Sequence, residues 1–230
     1  MTRTHWAAVT AVVLALLFAA AAVTAAAGSG GEDGTTGVST PTVDSADAGF
    51  ARDMSVHHQQ AVEMSFIVRD RTKDEEVRRL AYDIANTQAN QRGMMLGWLD
   101  LWELPKVSSD EPMAWMAGAG GSSGHGGHGA AGGGAAHGAH EVRDGALMPG
   151  MATKSELAKL READGKRAEI LYLQLMTDHH KGGVAMAQGC VERCEVGTER
   201  ALAQGMVDAQ ESEIALMTDL LKARGAAPRS

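Results

Sequence analysis

The stretch FARDMSVHHQQAVEM, Phe50–Met64, decides how this chain is read, because it returns as YLQLMTDHHKGGVAM, Tyr172–Met186. His57 recurs as His179, 122 positions on, and the same offset carries Phe50 onto Tyr172, Met54 onto Met176 and Met64 onto Met186. It also carries Leu80 onto Leu202, Gln88 onto Gln210, Met95 onto Met217 and Leu99 onto Leu221. The register holds without a gap for about fifty residues, the mark of an internal duplication. Within the first copy, Phe50, Met54, His57, Ala61, Met64 and Val68 step by four and three. That is one apolar face of a helix, with a histidine set inside it.

Outward from this helix, Asp44 or Ser45 can cap its start, and Arg71-Thr72-Lys73-Asp74 makes a short turn. Asp74 then caps a second helix through Val77, Leu80, Ile84, Gln88, Gln91, Met95, Trp98 and Trp102, which Pro105 stops. So short a connection makes the two helices antiparallel neighbours. In the second copy, Thr153-Lys154-Ser155-Glu156 is a capping box opening a short helix, which Asp164-Gly165 interrupts. The third long helix carries Ile170, Tyr172, Met176, His179, Gly183, Met186 and Cys190. After a Gly197-Thr198 turn, the fourth carries Leu202, Met206, Gln210, Glu213, Met217 and Leu221. The hairpins 45–104 and 153–224 are each too thin to bury their stripes alone. They predict an all-α four-helix bundle over 45–225, with the first helix opposite its copy, the third.

Composition agrees. Hydrophobic residues are 44% of the chain, aromatics only 4%, and methionines number 13, which argues for helices packed through Leu, Ala and Met rather than for sheets. A net charge of −8 leaves no basic patch for phosphates, so nucleic acid is excluded as a partner. Arg3 precedes Ala7–Ala27, an uncharged Ala/Val/Leu-rich run ending in small residues. Residues 1–27 read as a signal peptide or an uncleaved membrane anchor, with 28–44 a Gly/Ser/Thr-rich linker. Either way the remainder is exported, and any membrane contact runs through that segment. Cys190 and Cys194 are the two cysteines. An i, i+4 pair in one straight helix is poorly placed for a disulfide; packing, a disulfide and a two-thiol soft-metal site all stay open.

The chemistry concentrates on the duplicated face. Adjacent histidines on a helix diverge by about 100°; His57 and His179 fall on the inward stripe, and His58 and His180 on the seam with a neighbouring helix. Apart from Met1, every methionine lies in a repeat or beside the Gly/His-rich stretch. Methionine stripes are ordinary core, but thioether with imidazole, occurring twice, is a donor set that favours copper, Cu(I) above all, with Ag(I) as its mimic. The metal candidates are Met54, His57, His58, Met64 and Met95, with their copies Met176, His179, His180, Met186 and Met217. A carboxylate-bridged di-iron site is disfavoured, because the position three before each histidine holds Met54, Ser55, Met176 or Thr177 rather than Glu. Gln88, Gln91, Gln210 and Glu213 are expected either to orient the imidazoles or to form a plain hydrogen-bond layer. Residues 105–150 read as a disordered Gly/His insert, its His125-x-x-His128 and His137-x-x-His140 serving as metal-catching pairs or as a spacer. Nothing resembles a catalytic nucleophile, phosphate loop or zinc-protease motif, so no enzyme is expected.

The motif Asp47-x-x-Phe50-x-x-x-Met54-x-x-His57-His58, its copy from Glu169 to Met186, Met148-Pro149-Gly150-Met151 and Gln210-x-x-Glu213-x-x-x-Met217 resemble the family called domain of unknown function 305. The resemblance spans residues 45 to 222. It implies a ferritin-like four-helix bundle, exported, with some relatives periplasmic copper-binding proteins that use Met and His in copper tolerance. Glu169, Gln91 and the long Gly/His insert depart from the family pattern. Together these readings predict an exported protein that buffers, sequesters or hands on copper, with a copper-handling protein as partner. The alternatives are a structural or interaction module of the cell envelope and, behind it, a metal-dependent redox enzyme.

Overall fold

The computed structural model describes residues 40–117 and 144–229. The leader or anchor, nearly all of the linker and the four loop histidines lie outside the described residues. The elements are α1 (Ala46–Arg71), α2 (Glu75–Leu101), a 3-10 turn (Ala114–Ala117), α3 (Lys154–Glu162), α4 (Gly165–Arg193) and α5 (Gly197–Ala223). All are helical, and none is long and apolar enough to cross a membrane.

Local chemistry sets the helix starts. Ser45 Oγ accepts from Ala48 N at 3.1 Å, and Asp74 Oδ1 accepts from Val77 N at 3.0 Å. Thr153 and Glu156 close the expected capping box. Loss of any such cap costs about 1 kcal/mol.

The two hairpins, α1–α2 and α4–α5, meet along α1 and α4, which run antiparallel. Asp47 accepts from the backbone N–H of Glu195 and Val196, His57 faces His179, Ser65 bonds Tyr172, and Thr72 donates to Glu169 at 2.5 Å. The pairing is that of a pseudo-two-fold axis: it exchanges Asp47 with Glu169, and Cys194 with Thr72. The predicted stripe is the core, since Phe50, Met54, His57, Ala61, Met64 and Val68 are all fully buried. Each large apolar side chain so enclosed contributes roughly 1.5–3 kcal/mol.

The stretch read as an insert is ordered at both ends. Asp53 Oδ2 accepts from Met113 N at 2.7 Å and from Trp115 Nε1 at 2.9 Å, and Trp115 packs edge-on against Phe50. On the far side, residues 148–152 cross the bundle. Gln60 of α1 donates to Ala152 O and accepts from Ala152 N. Gly182 of α4 lets Pro149 O lie where a Cβ would stand. Bundle side chains supply the surface that these flanks lack on their own. Gly182→Ala should force this crossing away from α4 and cost about 2–3 kcal/mol, seen as a lowered midpoint in thermal unfolding.

Cys190 and Cys194 are joined as a disulfide. The straight-helix objection does not apply, because α4 ends at Arg193 and Cys194 is its extended C-cap residue. So short a loop contributes only about 2 kcal/mol through chain entropy, and reduction should leave the bundle folded.

Candidate metal centre

Four imidazoles form a layer across the middle of the bundle, brought there by the α1–α4 pairing. His57, His58, His179 and His180 are all fully buried. The seam expected for His58 and His180 is as dry as the stripe itself, because α2 and α5 close over it. The His57 and His179 rings stack at 3.8 Å between centroids, tilted by 31°.

Each ring turns Nε2 onto an oxygen. His57 faces Pro149 O at 3.3 Å, and His179 faces His57 O at 2.9 Å. His58 faces Gln91 Oε1 at 2.8 Å, and His180 faces Glu213 Oε2 at 2.7 Å. Carbonyl, amide and carboxylate oxygens only accept, so Nε2 carries a proton on every ring, and in the neutral ring Nδ1 keeps a lone pair. All four Nδ1 atoms are buried and without a partner. Orphaned buried acceptors are uncommon in folded proteins; here there are four in one layer.

Electrostatics keep the lone pairs free. Burial lowers the pKa of His57 to about 4 and that of His58 to about 3, the latter with help from the neighbouring His57. Burial and then His57 hold His179 well below its ordinary value. Neutral imidazole is the form that binds a metal, and at these three rings no proton competes for it near neutrality.

The polar layer divides in a way the sequence left open. Gln91 and Glu213 bond His58 and His180, whereas Gln88 and Gln210 make no hydrogen bond to an imidazole; both side-chain ends of Gln88 and Gln210 Oε1 are buried and unpartnered. Glu63 pairs with Arg161 at the surface. Sequence reasoning missed the Pro149 carbonyl and Gln60, which hold the crossing segment on His57.

The six candidate methionines are fully buried, but they do not group by repeat. Met54, Met95 and Met186 belong to one apolar cluster, with Met148 and Met206. Met64, Met176 and Met217 belong to the other. The antiparallel crossing puts the start of one copy level with the end of the other. Each sulfur set therefore draws on both hairpins, with the imidazoles between the two sets. The first is the richer, as Met113 and Met151 also pack against it.

Among the described residues, one group of three His, Cys, Asp or Glu donors converges, and it is not in this layer: Cys190, Cys194 and Glu199. Glu199 is fully enclosed. Burial first, then Asp47 beside it, pushes its pKa up to about 9. The unfolded carboxyl ionises near 4.5, so between these values the unfolded state binds fewer protons and stability falls as pH rises. Glu199→Gln should therefore stabilise the protein at pH 7 by about 2–3 kcal/mol, measurable by denaturant titration.

A duplicated, helical, Met- and His-lined bundle is the class that this fold and layer define. The family model for domain of unknown function DUF305 matches residues 47–221, and the chain belongs to that family. Its fold is similar to that of a predicted secreted DUF305 protein from Streptomyces coelicolor, with 64% identity, a TM-score of 0.68, and coverage of 82% of this chain and 99% of that one. A DUF305 fragment from Deinococcus radiodurans aligns at 26% identity and a TM-score of 0.57, covering 77% of this chain and 96% of that one. CopM in its Cu(I)-bound form shares the fold at 18% identity and a TM-score of 0.54, covering 77% of this chain and 96% of that one. No curated protein matches the sequence.

Proposed function

We propose that this is an extracytoplasmic Cu(I)-binding protein that holds copper or hands it on, with Ag(I) as a chemical mimic. The observation that carries the reading is the set of four unpartnered Nδ1 lone pairs, buried between two methionine clusters. Among the described residues no three imidazoles converge, and the buried thioethers of the two clusters are the donors that would complete the shell of an ion in this layer. That soft, low-charge donor set suits Cu(I) and not Mg, Ca or Mn. His57, His58, His179 and His180 would supply nitrogen, and Met54, Met95 and Met186 or Met64, Met176 and Met217 sulfur. Gln91 and Glu213 would fix ring orientation through Nε2. The Cu(I)-bound CopM of like fold supports the choice of metal, and the apolar leader and the predicted secreted relative support the compartment. The role is binding rather than turnover, with transfer to a copper-handling partner as its outlet.

The test is an anaerobic Cu(I) competition titration of the full chain, beside His57→Ala/His179→Ala and a deletion of 118–143. Removing both stacked imidazoles should weaken the tightest binding at least a hundredfold, about 3 kcal/mol, and the deletion should leave it intact. Tight binding that survives the double alanine variant and disappears with the deletion would reduce the bundle histidines to packing.

A further inference from the structure

We propose that reduction of the Cys190–Cys194 disulfide opens a buried site for a thiophilic divalent cation of the Zn2+ class, with both thiolates and the Glu199 carboxylate as ligands. This site shares no residue with the His/Met layer and stands without the copper reading.

Three observations converge on it. The donor atoms of Cys190, Cys194 and Glu199 all lie within 4.8 Å of one another, and all three residues are buried. Both Glu199 carboxylate oxygens are enclosed, with a second acidic group, the Asp47 carboxyl, beside them, a costly pairing that folded proteins seldom keep without use. The third observation is an internal control. The pseudo-two-fold carries Cys190, Cys194 and Glu199 onto Val68, Thr72 and Val77. There the same niche is closed by two fully buried valines and by a threonine whose hydroxyl is spent on Glu169. The fold is therefore satisfied by apolar packing at this position, and the second repeat departs from it at all three donors together.

The chemistry follows from the donors. In the disulfide, each sulfur is covalently committed. A dithiol or phosphine supplies two electrons; the S–S bond breaks, two protons are taken up, and two thiols result while the reductant is oxidised. A metal ion then displaces the thiol protons and the Glu199 proton to solvent. Two thiolates and a carboxylate match the tetrahedral preference of Zn2+ with one position left over. The hard carboxylate oxygen argues for a divalent ion here rather than Cu(I). A disulfide oxidant, itself reduced to two thiols by the two electrons released, re-forms the S–S bond and expels the ion.

The test uses the full chain, reduced anaerobically with a phosphine and titrated with Cd2+, whose ultraviolet thiolate-to-metal charge transfer reports sulfur coordination alone. Zn2+ affinity is then read by chelator competition. One equivalent should give the band after reduction and none before it. The band should vanish in Cys194→Ser and persist in His57→Ala/His179→Ala. Glu199→Gln, which keeps both thiols, should retain the band but weaken Zn2+ binding at least tenfold. Two results would overturn the proposal: no thiolate band in the reduced protein, or equal Zn2+ affinity in the parent and Glu199→Gln.

Discussion

Acidification of the metal-free protein should unfold it steeply between pH 6.5 and 4.5. In the unfolded chain each imidazole takes a proton near 6.5. In the folded layer His57 stays neutral to about pH 4 and His58 to about pH 3, and His179 is held neutral in the same sense. Below pH 6.5 the unfolded state therefore binds more protons, and each such histidine removes about 1.4 kcal/mol per pH unit. Glu199 acts in the opposite direction over the same range, because it keeps its proton in the folded state up to about pH 9. Three imidazoles against one carboxyl leave a net loss of about 3 kcal/mol per unit, or about 6 across the window. That is a large part of the 5–15 kcal/mol typical of a domain. Stability should peak near pH 6.5 and decline on both sides, the alkaline decline disappearing in Glu199→Gln. Denaturant titrations at half-unit pH steps check this. A profile flat from pH 7 to 4.5 would mean that the imidazoles are not held neutral in the fold. Saturating Cu(I) should move the acid midpoint downward by mass action.

The second large effect concerns which methionines act together. Because the antiparallel pairing sorts sulfur by bundle end, Met54→Leu/Met95→Leu/Met186→Leu should remove one class of Cu(I) binding and leave the other. Met64→Leu/Met176→Leu/Met217→Leu should do the converse. A set taken from one repeat, Met54→Leu/Met64→Leu/Met95→Leu, should damage both classes. Leucine is close in volume, so each change costs under about 1.5 kcal/mol in packing, whereas each affected class should lose at least a hundredfold in affinity, about 3 kcal/mol. Stoichiometry from anaerobic competition separates the cases. If the single-repeat set abolished one class and spared the other, the sites would follow the sequence repeat and not the spatial clusters.

This contrast marks how far the sequence could be read. Helix faces are legible because period and duplication report them directly: the stripe Phe50–Val68 is buried at every position named, and Ser45, Asp74 and Thr153 cap where composition placed them. The opposition of the first and third helices is legible from symmetry. Which side chains then share a level depends on chain direction at the crossing, a property of the pair that no single stripe contains. The flanks of the Gly/His stretch were hidden for a similar reason. Met113 and Trp115 owe their order to Asp53, more than fifty residues away. Glu199 was within reach, since its counterpart is Val77, and a charge replacing a buried valine is a visible break in the repeat.

The crossing segment 148–152 meets Gln60 on one side and Gly182 on the other, positions that the duplication makes equivalent. Two identical hairpins associating as a homodimer would present the same residue at both. Two glycines would leave the crossing without its amide clamp, and two glutamines would block the passage of Pro149 across α4. A single crossing over a two-fold axis is thus open only to a fused chain, whose halves are free to differ. The isologous interface of α1 with α4 supplies the shared imidazole layer, and covalent linkage supplies the asymmetry that gives His57 a carbonyl partner outside that pair of helices.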